Sequence, residues 1–158
     1  MPLHLTADTP DELRSIAGRL GALCSGGDVI VLSGDLGAGK TTFTQGLALG
    51  LGITERVTSP TFVISRVHPH PAGGPSLVHV DAYRLGSVAE LDDLDLQADL
   101  AQSVIVVEWG GGLAEHLSPA GLDIVITRSA FADDERRALA VTARGGRWTG
   151  LLANESGW

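Results

Sequence analysis

The sequence predicts an α/β fold organised on a central sheet that is mixed but mainly parallel. Two runs carry that expectation: VIVLS (29–33) and SVIVVEW (103–109) hold the unbroken apolar, β-branched pattern of strands buried on both faces of a parallel sheet. A third observation joins them. The glycine-rich turn GDLGAGK follows the first run directly and opens a helical segment, TTFTQGLALGLG, so strand, turn and helix succeed one another as in a βα unit. A length of 158 residues, 44% of them apolar, suits one domain spanning 1–158.

In chain order, residues 9–24 read as a helix, with Thr9 as cap, Pro10 in the first turn, and Thr9 with Glu12 as a capping box. Leu13, Ile16, Ala17, Leu20 and Leu23 recur at helical spacing as one apolar stripe. CSGGD ends that helix, VIVLS is the strand after it, and the next helix stops near Gly50 and Gly52. TFVISRV (61–67) and LVHVDAYRL (77–85) flank the Pro/Gly-rich HPHPAGGPS (68–76) and predict a hairpin. SVAELDDLDL reads as a short acidic helix with solvated charges. LDIVITR (122–128) and RRALAVTA (136–143) predict a second hairpin. Residues 145–158 show no clear period and are expected to form an irregular tail.

Charge narrows the function. The formal net charge is −8 and no arginine- or lysine-rich run is present, whereas a protein that grips nucleic acid offers a basic face to the phosphates. Direct RNA or DNA binding is not expected; a basic partner would do the gripping. No run approaches the eighteen or so apolar residues of a membrane span, and the first residues lack the basic start and apolar core of a signal peptide. The expectation is a cytoplasmic protein with no membrane segment. The single cysteine, Cys24, permits no internal disulfide, which fits a reducing compartment, and it reads as a small apolar helix residue.

The chemistry begins at Gly34-x4-Gly39-Lys40-Thr41, which matches GxxxxGK[ST]. Glycines let backbone amides curl around phosphate oxygens, and the helix that follows points its positive end at the same anion. Lys40 is the only lysine beside ten arginines, placed where a compact ammonium, unlike a broad planar guanidinium, fits inside a ring of amides. The whole reading is therefore α/β, a three-layer P-loop NTPase-like fold with a mixed, mainly parallel central sheet and hairpin additions. A guanine-reading [NT]KxD motif needs a second lysine, so ATP is favoured over GTP.

Glu108 ends the second apolar run, either as a surface glutamate closing a strand or, with the glycine-rich turn favouring it, as a Walker B acid that holds Mg²⁺ directly or through water. Trp109 beside it either stacks on the nucleotide or packs in the core. In HVDAYR, strand alternation puts His79, Asp81 and Tyr83 on one face and Val78 and Val80 on the other. Asp81 either orients an attacking or Mg²⁺-bound water or is a solvated strand end. In TSPTF (58–62), Thr58, Ser59 and Thr61 either sense the γ-phosphate or make a plain turn.

GDLGAGKTTF, VTSPTF, HVDAYRL and VVEW, in this order and spacing, resemble the TsaE (YjeE) family of bacterial P-loop ATPases, from about residue 9 to residue 143. The resemblance implies a role in forming the threonylcarbamoyl group on the adenosine 3′ to the anticodon of certain tRNAs. It implies ATP and Mg²⁺ as cofactors and a TsaB–TsaD complex as partner. tRNA would be met only indirectly, and hydrolysis by the chain alone would be slow. It further implies that Asp35, Leu36, Gly37, Ala38, Gly39, Lys40 and Thr41 bind ATP with Thr42 and Trp109 beside it. Thr41 and Glu108 would ligate Mg²⁺, Lys40, Asp81 and Glu108 would serve hydrolysis, and Ser59, Pro60 and Thr61 would form a switch.

Three places depart from the family pattern: Leu13 stands where a threonine is frequent, EWGGG replaces EWP, and a basic nucleotide contact falls on either Arg136 or Arg137. A small-molecule kinase is the alternative expectation. Its arginine-rich lid would have to come from RRALAVTARGGR, which reads as a strand. A nucleotide-sensing module without hydrolysis is a third.

Overall fold

The computed structural model describes residues 2–35, 37–57, 65–81, 100–108, 120–131 and 133–154. Its elements are β1 (Leu3–Ala7), α1 (Pro10–Leu23), β2 (Val29–Ser33), α2 (Lys40–Leu51), β3 (Ser65–His68), β4 (Ser76–Asp81), β5 (Ser103–Glu108), β6 (Gly121–Arg128), β7 (Arg137–Arg144) and α3 (Arg147–Ala153). The strands form one seven-stranded sheet in the order β1-β7-β6-β2-β5-β4-β3. The four central strands β6-β2-β5-β4 run parallel, and β3, β7 and β1 add antiparallel margins. Both expected hairpins are present, as β3–β4 and β6–β7.

The two apolar runs lie side by side at the centre, with Ile30 level with Val106 and Leu32 with Glu108. Alternation along them feeds two buried faces. Ile30, Leu32, Val104, Val106, Leu122, Ile124, Leu139 and Val141 join α1, α2 and α3 in one core. Val29, Val31, Val78, Val80, Ile105 and Val107 point the other way and are buried as well, as a sheet covered on both sides requires.

Thr9 caps α1, its side chain accepting from the Glu12 amide at 3.1 Å, while Glu12 accepts from the Asp8 amide rather than returning to Thr9. Leu13, Ile16, Ala17 and Leu20 are buried as the stripe predicts. Leu23, at the last turn, is 38% exposed instead, because the helix leaves the core before reaching it. Glycines let α1 and α2 touch backbone to backbone: a Cβ at Gly21 would strike the Leu47 carbonyl, and one at Gly46 the Arg14 carbonyl. α2 ends where Gly52, at φ +103°, donates back to Ala48 and Leu49.

Two elements lie where the sequence reading places none. β1 alternates half-buried and exposed residues, Leu3 and Leu5 facing in, and pairs with β7 at the sheet margin. α3 replaces part of the expected irregular tail. Trp148 is buried and donates to Asp28 Oδ1 at 3.1 Å, while Arg147 meets Asp28 Oδ2 at 2.6 Å. Two apolar side chains, Trp148 and Leu152, dock this seven-residue helix, too few to show a period. Cys24 lies half-buried beside it. Burial, with the Asp28 carboxylate second, pushes its thiol up to about 12, so it behaves as an apolar filler rather than a nucleophile.

Candidate functional site: a phosphate cradle at the carboxyl ends of the parallel strands

The parallel strands β2, β4, β5 and β6 share one direction, so their carboxyl ends line a single edge, the position where ligands bind in open α/β sheets. The chain leaves β2 at that edge with Gly34 and Asp35 and enters α2 through Gly37, Ala38 and Gly39. Gly34 passes so close to β6 that a Cβ there would stand 2.5 Å from the Ile126 carbonyl oxygen. Gly39 caps α2 at φ +110°, and a Cβ on it would meet Leu13 Cδ2 at 2.8 Å. Leu13 thus backs the loop as a core residue. The amides of Gly37 and Gly39 donate to nothing among the described residues, and the first turn of any helix leaves further donors open. Together they make an anion-facing cradle.

Lys40 is buried at the head of α2, and its Nζ donates to the Gly34 carbonyl at 2.7 Å and the Asp35 carbonyl at 3.1 Å. Burial lowers its pKa, and the Glu108, Asp35 and Asp81 carboxylates partly restore it. Thr44, one turn on, ties its hydroxyl to the Lys40 carbonyl at 2.9 Å and fixes this turn. Thr41 and Thr42 are half-buried on the same turn, and the Thr41 hydroxyl has no hydrogen-bond partner among the described residues.

The acids arrive from the neighbouring strands. Asp81 and Glu108 end β4 and β5 at the same register, level with Leu32 of β2, and with His79 they face the helices α1 and α2. Glu108 is buried, its Oε1 lacks a hydrogen-bond partner among the described residues, and His79 Nε2 is 3.5 Å away, a contact rather than a hydrogen bond. A buried carboxylate oxygen without a donor among the described residues, near the Lys40 ammonium, fits a divalent cation. Among the described residues no three His, Cys, Asp or Glu side chains gather into a cage. Glu108 and Thr41 would hold such an ion together with phosphate oxygens and water, as Mg²⁺ prefers.

On the other flank stand arginines. Arg137 opens β7 and donates through Nε to the Ala38 carbonyl at 2.8 Å and through Nη2 to the Gly37 carbonyl at 3.4 Å. Arg136 turns away and clasps Asp134 through both carboxylate oxygens, which holds that carboxyl below the usual range. Of the two, Arg137 is the one at the cradle. Arg128, at the end of β6, was not singled out by the sequence reading, although it lies directly across the ladder from Arg137. Only the β6–β7 register reveals it.

Lys40, Asp81 and Glu108 therefore come together, with Thr41 and Thr42 on the same first turn as Lys40 and Asp35, Gly37, Ala38 and Gly39 around the loop. Leu36, Ser59, Pro60, Thr61, Tyr83 and Trp109 lie outside the described residues, as do the EWGGG loop and the expected acidic helix.

Over residues 7–138 the chain matches the family described as "Threonylcarbamoyl adenosine biosynthesis protein TsaE". It is 55% identical to the tRNA threonylcarbamoyladenosine biosynthesis protein TsaE of Streptomyces coelicolor, across 86% of this chain and 93% of that protein. To the protein of the same name from Bacillus subtilis it is 44% identical, across 88% and 84% respectively. The crystal structure of Bacillus subtilis YdiB superposes with a TM-score of 0.76 at 37% identity, covering 99% of this chain and 95% of the other.

Proposed function

This chain belongs to the TsaE family, whose part is in threonylcarbamoyl adenosine biosynthesis, and on that premise we propose that it is a Mg²⁺-dependent ATPase acting as an accessory subunit on a TsaB–TsaD complex. The observation that carries this reading is the convergence of Lys40, Asp81 and Glu108 on one phosphate cradle. An ammonium held by loop carbonyls has its charge aimed where outer phosphates lie, and Lys40 exchanges those carbonyls for phosphate oxygens as ligand enters. The cation would supply charge neutralisation for the transferring phosphoryl group. Glu108, with a carboxylate oxygen unpartnered among the described residues, would ligate that cation. Asp81, level with it on the next strand, would orient the attacking water.

The partner requirement and the indirect relation to tRNA rest on the family and on the acidic balance of the chain. The kinase alternative loses its lid, since 137–144 is a sheet strand. A phosphate-release assay decides the matter. Weak turnover of ATP with Mg²⁺ should rise when TsaB–TsaD is added. Lys40→Ala and Glu108→Ala should each lower it by about a hundredfold or more. Transfer of labelled phosphate to a metabolite without partners would establish a kinase instead.

A further inference from the structure

Arg128 and Arg137 face each other directly across the β6–β7 ladder, a like-charge pair that destabilises a sheet unless something answers it. Arg137 spends its donors on carbonyls of Gly37, Ala38, Asp134 and Arg136. Arg128 is exposed and makes no hydrogen bond or ion pair among the described residues. Yet it does not swing away from its neighbour. A Cβ on Gly37 would find Arg128 Nη1 at 3.0 Å, so the guanidinium rests on the phosphate-binding loop itself.

The flank matters as much as the distance. β6 borders β2 on the side opposite β5, so Arg128 lies across the loop from Glu108 and Asp81. Outer phosphates and a cation belong to the Glu108 side, and the nucleotide's inner end belongs to the other. We infer that Arg128 is a nucleotide-binding residue, its guanidinium gripping the α-phosphate and in doing so relieving its repulsion with Arg137. The inference rests on the nucleotide-binding reading above and adds to it a residue and a polarity along the ligand.

Arg128→Ala, in the full chain, tests it by nucleotide titration and thermal melting. A charge-assisted hydrogen bond to phosphate lost in this way weakens binding by about tenfold. The expected loss is equal for ATP and ADP, with Arg128→Lys keeping part of the affinity. The Tm without nucleotide should be unchanged or higher, because a like-charge pair has been removed, while the rise in Tm on adding ADP shrinks. A loss confined to ATP would place the contact on the γ-phosphate and overturn the assignment. So would unchanged affinity, or a fall in Tm without ligand. A wild-type chain that binds neither nucleotide would refute the functional reading itself, a result distinguishable from a failure of Arg128 alone.

Discussion

On the proposed reading, Lys40 serves binding at a cost in stability. Its ammonium is out of water, and the two carbonyls and three carboxylates around it do not fully compensate, so its pKa lies below the ordinary 10.5. The sign follows from proton counting. Between the lowered value and 10.5 the unfolded chain holds a proton that the folded chain has released, so ligand-free stability rises with pH across that window. Lys40→Met keeps the apolar stem and removes the titrating group, and should abolish that part of the rise. Urea unfolding of both proteins from neutral to alkaline pH checks this; parallel stability curves would mean that burial does not perturb Lys40. The place of Lys40 at the head of α2 was legible in the sequence because it directly follows the glycine-rich turn. Which of Arg136 and Arg137 lies against the loop was not, since adjacent arginines on a strand differ only in which face they take.

At the scale of elements, the α1–α2 contact is made by absence of side chains. Gly46 and Gly50 of α2 press on Arg14 and Gly18 of α1, and Gly21 presses back on Leu47. Helix propensity alone says that Gly46→Ala should stabilise by about 1 kcal/mol. The added Cβ would instead meet the Arg14 carbonyl, backbone that cannot step aside, and forcing the helices apart costs roughly 1–3 kcal/mol. The net expectation is destabilisation, read as a lower denaturation midpoint at unchanged slope; a stabilised variant would show that the helices are not in backbone contact. Central strands and capped helices announce themselves through continuous apolar runs and Thr9-Pro10. β1 and α3 do not, because a margin strand with two inward leucines and a short helix anchored through Asp28 depend on partners far along the chain.

Across the whole molecule, a negatively charged protein carries a small cationic centre. The net charge is −8, yet Lys40, Arg128 and Arg137 converge on one loop, with Glu108 and Asp81 bounding it on the far side. The loop was legible because its glycines and lysine are contiguous; the arginine flank was not, because it exists only once β6 and β7 pair. Such a field selects ligands by size. On the proposed reading a compact polyphosphate would meet three cations at the cradle, whereas a long polyanion must also approach a protein of net charge −8. ATP affinity should therefore be unmoved by a large excess of tRNA, while inorganic tripolyphosphate should displace ATP fully. The comparison is made by competition titration at low salt, where electrostatic attraction is strongest. Displacement of ATP by tRNA would mean that nucleic acid reaches the cradle directly, and the basic partner invoked to hold it would be unnecessary.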